Sequence, residues 1–121
     1  MPTYSRAVEG AARDTEGIRM RVIYVSGAYR GDVAANVEHA RQAAIRLWQA
    51  GYAVLTPHLN SVGAGSGCPD DMFLTGDLEL LARCDAIFML NNYKSSLGGL
   101  KELALAKKLG LDIFYEMENG G

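Results

Sequence analysis

Nowhere does this chain carry a cluster of Lys and Arg, a CxxC pair, or an apolar run near the ~20 residues needed to span a membrane. Each absence removes a class of function. A nucleic-acid partner needs grouped cations to displace condensed counterions. A formal charge of -2 without a basic patch points instead to a small-molecule partner. The two cysteines, Cys68 and Cys84, have neither a paired spacing nor a neighbouring His pair, so neither a disulfide framework nor a zinc site is expected. Cys84 reads as a core residue and Cys68 as a loop thiol. No grouping of His with carboxylates has the spacing of metal ligands. No membrane partner is expected, and the start of the chain lacks the apolar stretch of a secretory signal, so the expected location is cytoplasmic.

What is present suits one domain: 121 residues, 49% of them hydrophobic, enough for one core and too few for two. Residues 1–19 mix Arg, Glu, Asp, Gly and Ala without a sustained period and are expected to form a flexible N-terminal extension, with the domain over 20–121. From Met20 to Ser26 a β-branched and aromatic run predicts a buried strand, bounded by Gly27 and Gly31. A helical pattern follows, with Val37, Ala40, Ala44, Leu47 and Trp48 on one face and Gly51 closing it. Tyr52 to Thr56 predicts the second strand, stopped by Pro57. The stretch Pro57 to Asp71 is a long loop rich in Gly, Ser and Pro. Met72 to Arg83 predicts a helix, with Phe73, Leu74, Leu78 and Leu81 inward. Ala86 to Leu90 is nearly all apolar, as expected of a strand covered on both faces. A helix over Gly98 to Leu109 and a strand over Leu111 to Tyr115 complete the series.

Strands alternating with helices, without a tight hairpin turn between them, imply right-handed crossovers. The fold class is therefore α/β, a small doubly wound, Rossmann- or flavodoxin-like, mainly parallel sheet with helices on both faces. Ligands in such sheets lie outside the C-terminal strand ends, so the loops at Arg30 and at Ser96 are expected to line one pocket.

Ser96-Leu97-Gly98-Gly99-Leu100-Lys101-Glu102 sets a hydroxyl, two glycines and a carboxylate in one strand-to-helix turn, where backbone N–H groups and the helix dipole favour an anion. Arg30, flanked by Gly27 and Gly31, offers a forked guanidinium to a phosphate or carboxylate. Asp77 and Glu102 form the candidate carboxylate pair, of the kind that cleaves a glycosidic bond. Taken singly, each fits a solvated helix charge better. Tyr24 reads as a core aromatic or as a phenol beside a nucleophile. His58 lies just past strand two, within reach of a ligand, whereas His39 is expected to be exposed. Asp85 at the mouth of strand three reads as a cap.

Tyr24 with Gly27 and Arg30-Gly31, Val54-Leu55-Thr56 with His58, Asp77-Leu78-Glu79, and Ser96-Leu97-Gly98 with Glu102 occur in an order that resembles the nucleoside 2-deoxyribosyltransferase superfamily. The similarity runs from about Met20 to Tyr115. It is nearest to the 2'-deoxynucleoside 5'-phosphate N-hydrolases and to uncharacterised short phage and bacterial members. The resemblance implies that Glu102 is the nucleophile, that Asp77 sits beside base and sugar, and that Tyr24 positions the nucleophile. It also implies that Arg30 contacts phosphate. Ser96 stands where transferases acting on free nucleosides tend to carry Asp, and so favours a nucleotide. The implied activity is cleavage of the base–sugar bond of (deoxy)nucleoside 5'-monophosphates through a glycosyl-enzyme on Glu102, with the carboxylates ~5 Å apart. Base exchange and non-catalytic nucleotide binding are the alternatives. The substrate-binding set is Gly27, Arg30, Gly31, His58, Ser96 and Gly98. No metal or organic cofactor is implied, and the partners are a nucleotide or nucleoside and further copies in a homodimer or larger assembly. Ala28 departs from a second phosphate-binding Ser, and the loop around Cys68 has no counterpart motif. The tail from Glu116 to Gly121 lacks an evident Ser or Asn of the kind a neighbouring subunit supplies in some relatives.

Overall fold

A computed structural model of the protein describes residues 8, 10–14, 16–60 and 67–117. The expectations for the long loop at 61–66, for the tail at 118–121 and for the extension at 1–7, 9 and 15 lie outside the described residues.

Strand β1 (Val22–Ser26) leads into helix α1 (Val33–Gln49), strand β2 (Ala53–Leu55) and a one-turn helix α2 (Pro57–Asn60). Helix α3 (Asp70–Leu81), strand β3 (Ala86–Met89), a 3-10 turn at Tyr93–Ser95, helix α4 (Leu97–Leu109) and strand β4 (Asp112–Tyr115) follow. The strands pair in parallel in the order β2-β1-β3-β4. Chain progression reverses between β1 and β3, which leaves a crevice at their C-terminal ends. Registers Tyr24↔Ile87 and Ser26↔Met89 set those ends level.

Side chains of β1 alternate between two cores, as the period of a strand requires. Ile23 and Val25 pack with Ala40, Ala43 and Leu47 of α1, together with Tyr52 and Phe88. Tyr24 faces the other way, among Leu81, Ile87, Met89, Leu103 and Ala106, beneath α3 and α4. Helices therefore cover both faces, and the parallel doubly wound class stands. β3 is buried throughout, consistent with its uninterrupted apolar run.

One expectation changes. Trp48, read as inward, is 55% exposed, and Ala43 takes its place. At 100° per residue the stripe Ala40, Ala43, Ala44 and Leu47 centres roughly 90° away from Trp48. Small alanines along that stripe let α1 lie close on the sheet. Of the described residues before β1, two add to the same face. Val8 and Ala12 are buried in the α1 core, the Tyr52 hydroxyl donates to the Val8 carbonyl, and Arg13 bridges Met20.

Asp85, expected to cap, does so at the end of the sheet away from the crevice. Its carboxylate accepts the Val22 N–H at 2.9 Å and takes both nitrogens of the Arg19 fork. No helix among the described residues is long and apolar enough to cross a membrane.

Candidate active site

A cavity of about 500 Å³ opens at the crevice and is lined by residues from four elements and their loops. The loop after β1 supplies Gly27, Ala28, Tyr29 and Arg30. α2 supplies His58, α3 Asp77, Phe73 and Leu74, and the start of α4 Ser96, Gly98, Gly99 and Glu102. The two loops expected to share one pocket do share it.

Ser96 builds the α4 wall. Its backbone is extended, and its Oγ accepts the Gly99 N–H at 3.0 Å, an N-cap that satisfies one of the four unpaired donors of a helix start. At Gly99 a Cβ would lie 3.3 Å from the Tyr93 carbonyl, so the first turn packs closely on the preceding 3-10 turn. Starting the helix here places Glu102 one turn in, pointing back toward the sheet, with only 7% of its surface exposed.

Both oxygens of that buried carboxylate are held. The Tyr24 hydroxyl donates to Oε2 at 2.5 Å and the Ser26 hydroxyl to Oε1 at 2.6 Å. Tyr24 and Ser26 are alternate residues of β1 and so share a face; they reach Glu102 from behind and do not themselves line the cavity. Burial pushes the Glu102 carboxyl above its ordinary range, opposed by the hydrogen bonds from Ser26 and Tyr24 and reinforced by the charge of Asp77. Tyr24 is driven far above the phenol range, first by burial and then by the Glu102 charge and hydrogen bond, and so remains a donor. Asp77 is pushed up to about 6 by burial, which poises it between acid and base near neutrality.

The remaining expected residues divide. His58 is buried. Its Nε2 lies 3.0 Å from the Ala28 carbonyl, its Nδ1 has no hydrogen-bond partner among the described residues, and burial lowers its tendency to protonate. Arg30 stands at the rim, 73% exposed, and is already ion-paired with Asp70 at the start of α3. Gly31 does not line the cavity; at φ 94 it serves the turn into α1. His39, expected to be exposed, is half-buried and bonded to Glu116 at 2.7 Å. The expectations missed Ser26, although its alternation with Tyr24 at a strand's C-terminal end was a usable signal. They also missed Asn92, whose Oδ1 accepts the Ala28 N–H at 2.9 Å. Among the described residues no three of His, Cys, Asp and Glu come together as metal ligands would.

This geometry joins a held, buried carboxylate to a second carboxyl that burial pushes up to about 6, beside a helix N-terminus suited to an anion.

Two solved structures are similar in fold. One is a 2-deoxyribosyltransferase from the psychrotolerant bacterium Bacillus psychrosaccharolyticus, at 21% identity over 78% of this chain and 70% of that one, with a TM-score of 0.63. The other is a 2-desoxiribosyltransferase from Leishmania mexicana, at 16% identity over 78% of this chain and 63% of that one, with a TM-score of 0.57. No curated protein matches the sequence. The sequence profile of one family matches residues 21–115, which takes in every strand and the whole cavity wall described above. The chain therefore belongs to the family described as "Domain of unknown function (DUF4406)".

Proposed function

We propose that this chain is an N-glycosidase that cleaves the base–sugar bond of (deoxy)nucleoside 5'-monophosphates, with Glu102 as nucleophile. The observation that carries the reading is the Glu102 carboxylate, buried at the cavity floor with Tyr24 and Ser26 donating to its two oxygens. Hydroxyl donors at both oxygens fix the direction of attack and keep the buried group ionisable.

In the first step a Glu102 oxygen bonds to C1' as the C1'–N bond breaks and its electron pair leaves with the base. Asp77, in its acid form, gives the departing base a proton. Water then adds to C1' as the Asp77 carboxylate takes its proton, the ester to Glu102 breaks, and the sugar 5'-phosphate leaves with retained configuration. Tyr24 keeps its proton throughout and acts by positioning. Ser96, the first-turn N–H groups of α4 and Arg30 take the 5'-phosphate. The fold likeness to 2-deoxyribosyltransferases supports a sugar at C1' as the reacting part.

One observation favours a second reading, base exchange on unphosphorylated nucleosides. Arg30 is already paired with Asp70, Asp71 stands beside it, and Ala28 offers no hydroxyl, so a phosphate would enter against carboxylates.

Each nucleoside 5'-monophosphate and its free nucleoside are incubated with the protein, with and without a labelled acceptor base, and free and labelled products are separated by chromatography. Base release from the monophosphate, abolished in Glu102→Ala, is the expected result. Label appearing in nucleoside selects base exchange. Calorimetric binding without either product selects a nucleotide-binding protein, and release that persists in Glu102→Ala removes Glu102 from the mechanism.

A further inference from the structure

Behind the loop that follows β1 runs a chain of polar groups that the glycosidic chemistry does not use. Asn92 Oδ1 accepts the Ala28 N–H, and Asn36 Nδ2 donates to the carbonyls of Tyr29 and Arg30 at 3.1 and 2.9 Å. Asn92 Nδ2 lies 3.5 Å from Asn36 Oδ1 and 3.4 Å from His39 Nδ1. His39 Nε2 is 2.7 Å from Glu116 Oε1, which also accepts the Asn91 N–H at 2.9 Å. The Glu116 side chain is only 4% exposed. The backbone presses on this network, since a Cβ at Gly27 would lie 2.7 Å from Asn92 Oδ1.

Donor and acceptor identities fix every orientation. The Ala28 N–H can only donate, so Asn92 must present its oxygen there and turn its NH2 toward Asn36 and His39. Asn36 spends its NH2 on two carbonyls, so its oxygen faces Asn92. His39 Nδ1 therefore meets an N–H donor and must be bare, which leaves its proton on Nε2, directed at Glu116.

We infer that Asn92 is a positioning residue for the loop at residues 28–30, and that His39, oriented by Glu116, holds the Asn92 amide in the one orientation that accepts the Ala28 N–H. A proton added at His39 Nδ1 sets N–H against NH2, so Asn92 turns or withdraws and the loop loses its anchor. The titratable groups facing His39 are Glu116, after β4, and His58 on α2, which senses its charge. The neutral amides of Asn36 and Asn92 complete its surroundings. The loop so held forms one wall of the cavity; its value to a ligand rests on the glycosidase reading, whereas the lock itself does not.

Amide exchange at Ala28, expressed as protection relative to an unstructured chain, is followed by NMR in the full chain across a pH series, with the protonation of the His39 ring nitrogens read directly in the same samples. In the native protein Ala28 protection falls about 5- to 10-fold as His39 becomes imidazolium, roughly the worth of one hydrogen bond. Asn92→Ala lacks that protection at every pH, and His39→Gln, which cannot gain a proton, flattens the response. Asn92→Asp is the sharpest arm. Its carboxylate accepts from Ala28 and from a protonated His39 together, so protection rises as pH falls. Protection that ignores His39 titration in the native protein, or an Asn92→Asp response in the native direction, overturns the inference. Thermal midpoints show whether each variant is folded, and the two remaining variants decide if one is not. If the site turns over nucleotides, Asn92→Ala raises KM more than it lowers kcat. Absent turnover overturns the glycosidase reading and leaves the exchange result standing.

Discussion

Removing one hydroxyl behind the buried carboxylate, by Ser26→Ala, tests how Glu102 is kept ionisable. In the native protein burial raises the Glu102 carboxyl while the Ser26 and Tyr24 hydroxyls pull it back. A hydrogen bond to a charged group contributes about 1.5–3 kcal/mol, and each pH unit of displacement corresponds to ~1.4 kcal/mol. Losing the 2.6 Å bond to Oε1 therefore moves the Glu102 titration upward by the difference between the charged and the neutral hydrogen bond. The stability consequence has a definite sign. Above the Glu102 titration the carboxylate is charged and short of a donor, so Ser26→Ala is less stable than the native protein by about 1.5–3 kcal/mol. As pH falls through that titration the carboxyl takes a proton, and the deficit shrinks to the worth of a neutral hydrogen bond, about 1 kcal/mol. Carbon-detected NMR of the glutamate carboxyls gives the titration, and urea unfolding at acid and alkaline pH gives the two stabilities. Under the glycosidase proposal the acid limb of the rate profile moves upward by the same interval. A Glu102 titration that stays in place, or moves downward, refutes the reasoning.

Asp77→Asn removes a carboxyl that burial holds at about 6 instead of 3.8. Because its folded-state value is raised, ionisation costs stability above about pH 6, and the cost vanishes below the ordinary carboxylate value. The full displacement corresponds to ~3 kcal/mol, which partial exposure reduces to about 1–2. The stability gained by this variant should thus show in thermal unfolding at about pH 8 and disappear by about pH 3, while base release falls at least about tenfold. Gly27→Ala forces a Cβ to within 2.7 Å of Asn92 Oδ1 and of Leu90, and is expected to cost about 1–3 kcal/mol in urea unfolding. Asp70→Asn frees Arg30 from its ion pair and is expected to tighten binding of inorganic phosphate several-fold by calorimetry, with the thermal midpoint almost unmoved because both groups are exposed.

The order of strands and helices was legible from residue pattern because backbone hydrogen bonding and apolar periodicity are local properties. β3 shows this most clearly: four consecutive buried residues follow from its apolar run. Glycine at position 110, in the left-handed region at φ 73, ends α4 where the pattern ended it. Trp48 shows the limit. Two candidate stripes on α1 share Ala40, Ala44 and Leu47, and only the close approach of the sheet selected the one with Ala43. Apolar character alone does not say how near a helix can come.

At the site, the sequence by itself determined which side chains are available and, through the alternation of β1, that Tyr24 and Ser26 share a face. The tertiary structure decided that this face meets Glu102, 78 and 76 residues further along the chain from them. It likewise joined Arg30 to Asp70 and ran His39 and Asn92 into one network with Glu116. The reason is physical. Charge and hydrogen-bond energies depend on burial and on separations of a few ångströms, and both arise only once distant segments pack together.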